Sequence, residues 1–411
     1  MSVPEFVIVG GGLAAGTAAV TLREEGFDGH LTLIAAEAHK PYIRPPLSKA
    51  YLASLDDSEL WVQQDAWWHD HDVEVRSGRH VRSLDLADRT ISCEGGEPLP
   101  FDRLLIATGA AARRLELPGA EADGIHTLRT LEDSRAIRSA TESGDKRVVV
   151  VGSGWIGMEV AATVRGFGNE VTVVSHSQVP LSAALGDELG EVFEGLHVDH
   201  GVHFVRGVDV TGFRVADGRV TGVEYEGGVV DADVVVVGVG ASPLTAVAED
   251  AGLGVDHGIL VDAGMRTGAD GVFAAGDVAN PIHPVLGRRL RSEHWANAIG
   301  TGRTAALNML ERGVVYDDIP YFYTDQFDLG MEFSGYAPLM EGTHIVYRGD
   351  VAGREFVSFW VTGDGRVVAG MNVNVWDVNE QVQGLIRAAK PVDEARLADA
   401  SIPLGDLVAD A

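Results

Sequence analysis

The hydrophobic and polar positions of the chain fall into one arrangement that occurs twice, about 140 residues apart. Phe6-Val-Ile-Val9 is a β-branched run that leads into Gly10-Gly-Gly-Leu-Ala-Ala15-Gly, and Thr17 to Glu25 then has helical spacing. Val148-Val-Val-Val151 leads into Gly152-Ser-Gly-Trp-Ile-Gly157, followed by a helical stretch from Met158 to Arg165. A second apolar strand follows each helix, Leu31 to Ile34 in the first copy and Val171 to Val174 in the second. Strand, glycine turn, helix and strand in that order predict two nucleotide-binding α/β domains. The repeat is too long for a solenoid.

Later strands fit the same scheme. Leu104 to Ile106 runs toward Gly109, Val234 to Val237 ends at Gly238-Val-Gly240, and Gly271-Val-Phe-Ala-Ala-Gly-Asp277 ends in Gly-Asp. After about residue 320 the texture changes. Tyr321, Phe322, Tyr323 and Phe327 cluster, and Glu355–Val361 and Val367–Val375 alternate as antiparallel strands do, joined through Gly363-Asp-Gly365. Gln381 to Ala389 predicts a closing helix. The expected class is α/β: two Rossmann-like domains of the glutathione-reductase-like kind and a C-terminal α+β domain. The first domain is discontinuous, at 1–112 and 241–320; the second spans 113–240 and the last 321–411.

Composition narrows the function. Thirty-two basic against 61 acidic residues give a net charge of −29, which opposes nucleic-acid binding. The single cysteine, Cys93, rules out a disulfide scaffold, a cysteine-ligated cluster and a redox-active dithiol, and it is expected to be inert. No positive region precedes the first apolar run and no stretch approaches the ~20 apolar residues of a membrane span, so a cytoplasmic protein is expected.

Small residues at Gly10, Gly12 and Ala15 let backbone approach a pyrophosphate whose charge rests on helix N-terminal amides. Glu37 stands where a carboxylate at the end of the second strand would accept from an adenosine ribose. The second turn has Gly152, Gly154 and Gly157, but its acid is missing, because the corresponding strand runs into Ser175-His176-Ser177. Ser175 can bond a ribose hydroxyl and no arginine stands there for a 2′-phosphate, so NADH is preferred and NADPH is not excluded. Asp277 can bond a ribityl chain or merely cap a helix.

With these motifs the chain resembles the two-nucleotide-domain flavoprotein reductases, the ferredoxin (rubredoxin, putidaredoxin) reductases of bacterial oxygenase systems. Apoptosis-inducing-factor flavoproteins are close relatives. The likeness covers nearly the whole chain. It rests on Pro41-Tyr-Ile-Arg44-Pro-Pro-Leu-Ser-Lys49, Leu128-Arg129-Thr-Leu-Glu-Asp133, Trp155-Ile-Gly-Met-Glu159, Ala274-Ala-Gly-Asp277, Glu293-His-Trp295 and Tyr321-Phe-Tyr-Thr-Asp-Gln-Phe327. The resemblance implies that FAD is held by Gly10, Gly12, Ala15, Glu37, Arg44, Lys49, Val81, Thr108, Gly109, Arg129, Asp277, His294 and Trp295. It implies that NAD is held by Gly152, Gly154, Ile156, Gly157, Glu159, Ser175 and Gly240. Lys49 would lie at the flavin N5 edge, paired with Glu159, and Trp155 would cover the ring until nicotinamide displaces it; the alternative for Trp155 is a plain core residue. Tyr321 and Tyr323 depart from the family, which often carries Trp there.

The implied reaction moves a hydride from NADH to FAD and then single electrons to a [2Fe–2S] ferredoxin, for an oxygenase system. The alternative is a redox sensor that oxidises NADH slowly and holds a long-lived charge-transfer complex. Arg288, Arg289 and Arg291 could steer an acidic ferredoxin despite the adverse net charge, or could serve the protein's own acids. His69 with His71, and His197 with His200, lack a third ligand and are expected to be surface or packing residues, leaving no metal site. No membrane partner is expected, and the chain could be a monomer or a homodimer.

Overall fold

Glu5–Val9 is the middle strand of a five-stranded parallel sheet, in the order Val272–Ala274, Arg103–Ile106, Glu5–Val9, His30–Ile34, Val73–Arg76. Its apolar run is continuous because both faces of this parallel sheet are buried, in a core shared with Ala14, Ala18 and Leu22 of the following helix and with Leu84, Ile91 and Phe101 of an antiparallel segment. Ile8, Leu33 and Leu105 are wholly buried, each worth about 1.5–3 kcal/mol of apolar transfer. This sheet belongs to the first of two compact units in a computed structural model that describes residues 3–410. The first unit comprises the chain up to Arg44, Asp57–Ala111 and Ser242–Pro320; the second comprises Pro45–Asp56, Ala112–Ala241 and the chain from Tyr321 onward.

In the first unit the helix after the glycine turn is Leu13–Glu24, four residues earlier than its periodicity predicts. Its first turns carry Ala14, Ala15, Ala18 and Ala19, all buried, so no polar face marks the start. These alanines let Trp295–Met309 cross closely, and a Cβ on Gly302 would stand 2.5 Å from the Ala14 carbonyl oxygen.

The second unit repeats the plan. Its parallel sheet has the order His203–Arg206, Glu170–Ser175, Arg147–Val151, Val234–Val237, Ile125–Thr127. The helix after its glycine turn is Trp155–Gly166. A capping box opens Leu131–Thr141: Thr130 accepts from the Asp133 amide while the Asp133 carboxylate accepts from the Thr130 amide.

The C-terminal segment forms a five-stranded antiparallel sheet: Tyr321–Gln326, Leu329–Gly335, Val367–Val373, Glu355–Val361, His344–Asp350. Glu355–Val361 is buried at every residue but its first, on both faces. One face packs with Phe193 and Leu196 of the helix Asp187–Asp199 in a shared core. The other is covered by Asn379–Ala388, whose Val382 crowds Gly370. That helix ends at Ala389, which adopts the left-handed conformation.

Candidate active site

In the first unit the turn after Glu5–Val9 is forced to be glycine. Gly10 has φ 138°, and a Cβ there would lie 2.0 Å from the Ala107 carbonyl oxygen. Gly12, the N-cap of Leu13–Glu24, faces open space, with nothing within 4 Å of where a Cβ would stand. A 12-residue helix therefore presents uncapped amides to an open cradle, which suits a pyrophosphate. Ala15 is buried behind the turn.

Glu37 and Arg44 hold each other: Arg44 Nη2 is 2.6 Å from Glu37 Oε1, and the Tyr42 hydroxyl donates to Glu37 Oε2. Thr108 Oγ1 donates to the Leu244 carbonyl at 2.8 Å, Gly109 takes positive φ, and Val81 opens the edge strand Val81–Asp85. Asp277 lies within the 3₁₀ turn Gly276–Val278, whose N-cap is Ala275, so it does not serve as the cap of that turn. His294 and Trp295 open the long helix, and burial pushes the His294 imidazole down to about 4 against the pull of Asp277. Within this unit, therefore, an open glycine turn follows the first strand, and a carboxylate paired with Arg44 and Tyr42 follows the second.

The arginines at 288–291 do different work. Arg288 and Arg289 are exposed on the short strand that pairs with Ala279–His283. The Arg289 guanidinium also donates to the carbonyls of Val261 and Asn280. Arg291 pairs with Glu293 at 2.6 Å and reaches the Asp277 carbonyl at 3.3 Å.

In the second unit the same turn recurs. Gly152 has φ 104°, and a Cβ there would lie 2.4 Å from the Gly238 carbonyl oxygen; Gly154 again faces open space. Gly157 abuts the Gly152 carbonyl. The turn lines a cavity of about 450 Å³ together with Trp155, Ser175, His176, Asp209 and Gly240. Ile156 is exposed at the start of the same helix. Trp155 meets Phe322 and Phe193 edge-on, at 4.9 and 5.7 Å between centroids, so it is both a cavity wall and part of an aromatic cluster. Arg129 is placed by its amide, which donates to Asp133 at 2.9 Å.

Lys49 and Glu159 also lie in this unit. Lys49 Nζ is 3.1 Å from Glu159 Oε1 and 5.0 Å from the centre of the Tyr323 ring. Their side chains are 11% and 5% exposed. Three further residues complete the carboxylate's shell, and sequence reasoning missed them. Ser48 Oγ donates to Glu159 Oε2, Thr324 Oγ1 donates to Oε1 at 2.6 Å, and Gln326 Nε2 donates to Thr324 Oγ1 at 3.2 Å. Gln326 Oε1 then accepts from His197 Nε2 at 2.8 Å, which fixes that tautomer. His197 is fully buried, as a packing residue would be, and burial lowers its pKa to about 4. The available signal was the period of two: Thr324 and Gln326 share a face of Tyr321–Gln326, and polar residues there need inward partners.

His69 is exposed, His71 stacks on Trp67, and His200 stacks on Phe327. Among the described residues no group of three or more His, Cys, Asp or Glu could hold a metal ion. Burial raises the Cys93 thiol pKa, which leaves it a poor nucleophile.

Two parallel sheets, each with a glycine turn opening on bare helix amides, have the plan of paired dinucleotide-binding domains. Residues 4–302 match the pyridine nucleotide-disulphide oxidoreductase family and residues 321–408 match the reductase C-terminal domain; the chain belongs to this family. It is 38% identical over 405 residues to the anthranilate 1,2-dioxygenase system ferredoxin–NAD(+) reductase component of Burkholderia cepacia, covering 98% of this chain and 99% of that one. It is 35% identical to rhodocoxin reductase of Rhodococcus erythropolis, over 97% and 93% of the two chains. Among solved structures it matches a chain of the covalent putidaredoxin reductase–putidaredoxin complex, with a TM-score of 0.94, 33% identity and coverage of 100% and 99%.

Proposed function

We propose that this chain is an FAD-dependent reductase that takes a hydride from NADH and passes the electrons singly to a [2Fe–2S] ferredoxin serving an oxygenase. The observation that carries the reading is the pair of open glycine turns, Gly10–Gly12 and Gly152–Gly154, in a chain whose relatives are named as ferredoxin reductases. With one cysteine the chain has no dithiol to receive the electrons, so they must leave to an external acceptor. Per turnover, one NADH yields NAD⁺, one proton and two electrons, which reduce two ferredoxin molecules.

Bound FAD would supply a ring that accepts a hydride at N5 and releases electrons one at a time. The chain's own part is positioning and electrostatics. The amides beyond Gly12 take the FAD pyrophosphate, Glu37 and Arg44 the adenosine end, and Asp277 the ribityl chain. Gly152, Gly154 and Gly240 seat NADH. Lys49 is assigned as the cation that favours negative charge on the reduced ring, with Glu159 as its fixed counter-charge. Arg288, Arg289 and Arg291 are assigned to ferredoxin docking. No helix among the described residues is long and apolar enough to cross a membrane, and a cytoplasmic location, where NADH is available, is part of the same proposal.

Anaerobic stopped-flow reduction of the purified yellow protein by NADH, followed by turnover with a [2Fe–2S] ferredoxin, tests the reading. Bleaching within milliseconds to seconds and ferredoxin-dependent turnover support it. Reduction over minutes with a persistent long-wavelength band would assign the chain to redox sensing instead.

A further inference from the structure

The second nucleotide site lacks the strand-end acid that normally reads an adenosine ribose, yet the structure supplies an acid from elsewhere. Glu170–Ser175 ends in a buried serine whose hydroxyl donates to the Ser177 carbonyl at 2.9 Å, so its proton is already committed. Two backbone bonds then fold the next strand connection over this end: the Val208 amide to the Ser175 carbonyl at 3.1 Å, and the Gly207 amide to the Ser177 carbonyl at 3.2 Å. They carry Asp209 to the wall of the 450 Å³ cavity, beside Ser175 and His176.

The Asp209 carboxylate is exposed and has one side-chain partner among the described residues. Its Oδ1 is 2.8 Å from His176 Nδ1, and among the described residues no donor reaches Oδ2. The nearest arginine in register is Arg206, opposite Ser175 on the neighbouring strand, but its guanidinium is 2.6 Å from Glu194 Oε1. The lining of the cavity therefore includes the Asp209 carboxylate and no arginine or lysine.

We propose that Asp209, positioned by His176, is the ribose-reading acid of this site. It accepts from the adenosine 2′-hydroxyl of NADH and repels the 2′-phosphate of NADPH. The inference rests on the reading of this cavity as the NADH site and adds how the nucleotide is chosen. Asp209 is 34 residues beyond Ser175, on a different strand connection, so the strand-end rule does not find it.

The test is the ratio of kcat/KM for NADH to that for NADPH, in the FAD-loaded wild type, Asp209→Asn and His176→Ala. FAD content shows that each variant has folded. Asp209→Asn is expected to lower the ratio by roughly tenfold or more, through KM for both nucleotides, because a neutral amide neither repels the phosphate nor binds the hydroxyl as well. His176→Ala should shift it in the same direction by less, since it frees the acid without removing it. In parallel, calorimetry with 2′,5′-ADP and with 5′-ADP should show 2′,5′-ADP gaining affinity in Asp209→Asn. An unchanged ratio and unchanged 2′,5′-ADP affinity, in variants that NADH still reduces, would overturn the role of Asp209 and leave the reductase reading intact. A wild type that NADH does not reduce would overturn the reductase reading, and the two ADP titrations would still decide on Asp209.

Discussion

The Lys49 ammonium and the Glu159 carboxylate are held 3.1 Å apart in a nearly dry setting, and Glu159 has two more donors, Ser48 and Thr324, on its oxygens. Removing one member of such a buried pair costs about 3–5 kcal/mol, because the other charge is stranded. The two members are unequal. Loss of Lys49 leaves Glu159 with two hydroxyl donors, whereas loss of Glu159 leaves Lys49 with only the Tyr323 ring among its described partners.

Glu159→Ala should therefore lower the denaturation midpoint more than Lys49→Ala does. Lys49→Ala should bind FAD and be reduced by NADH at least tenfold more slowly. Denaturation curves and stopped-flow traces on the same preparations check both. Reduction at the wild-type rate in Lys49→Ala would remove Lys49 from the mechanism.

The glycines of the first turn separate folding from binding. Gly10→Ala puts a methyl group 2.0 Å from a carbonyl oxygen at φ 138°, which should cost about 3 kcal/mol or more and yield little folded protein. Gly12→Ala meets nothing within 4 Å and keeps an extended backbone, so it should fold. Its methyl group enters the cradle, and the visible-to-ultraviolet absorbance ratio should report weak FAD retention.

Burial depresses the pKa of His197 to about 4, below the 6.5 of an unfolded imidazole. The native state thus holds fewer protons than the unfolded one. Its stabilisation is complete above pH 6.5 and is lost as pH falls toward 4, by roughly 3 kcal/mol in all. His197→Gln removes the titration and retains a donor for Gln326. Melting temperatures at pH 7 and pH 4.5 should fall further apart in the wild type than in the variant. Equal drops would show that His197 does not carry this pH dependence.

Charge reversal on the exposed strand tests the docking role. Arg288→Glu should raise the KM for ferredoxin, more so at low salt. Arg289→Glu also gives up its bonds to the Val261 and Asn280 carbonyls, so it should lower the melting temperature as well. Equal ferredoxin kinetics in Arg288→Glu would place docking elsewhere.

The parts of this molecule legible in its sequence are the local ones. Strand, glycine turn and helix are consecutive, so Val148–Val151 and Gly152–Gly157 announce themselves. The start of Leu13–Glu24 was less legible, because its first turns are buried largely through small residues, Ala14, Ala15, Gly16, Ala18 and Ala19, which mark no amphipathic edge. The shell of Glu159 was legible only in its lysine, through family likeness. Ser48 lies 111 residues away and Thr324 165 residues away; the period of two marks Thr324 as inward-facing but does not say which carboxylate it serves. Asp209 was hidden for a related reason: the site needed an acid, and the fold drew it from a neighbouring connection.

The interleaving of the two units also sets an order of events during synthesis. The sheet around Glu5–Val9 has its outer strand at Val272–Ala274, whereas the sheet around Arg147–Val151 is complete once Val237 has been made. At roughly 5–20 residues per second, the first glycine turn emerges from the ribosome on the order of tens of seconds before its own sheet can close. The later-encoded nucleotide sheet can therefore form first, and the strand Glu5–Val9 waits longest for its neighbours.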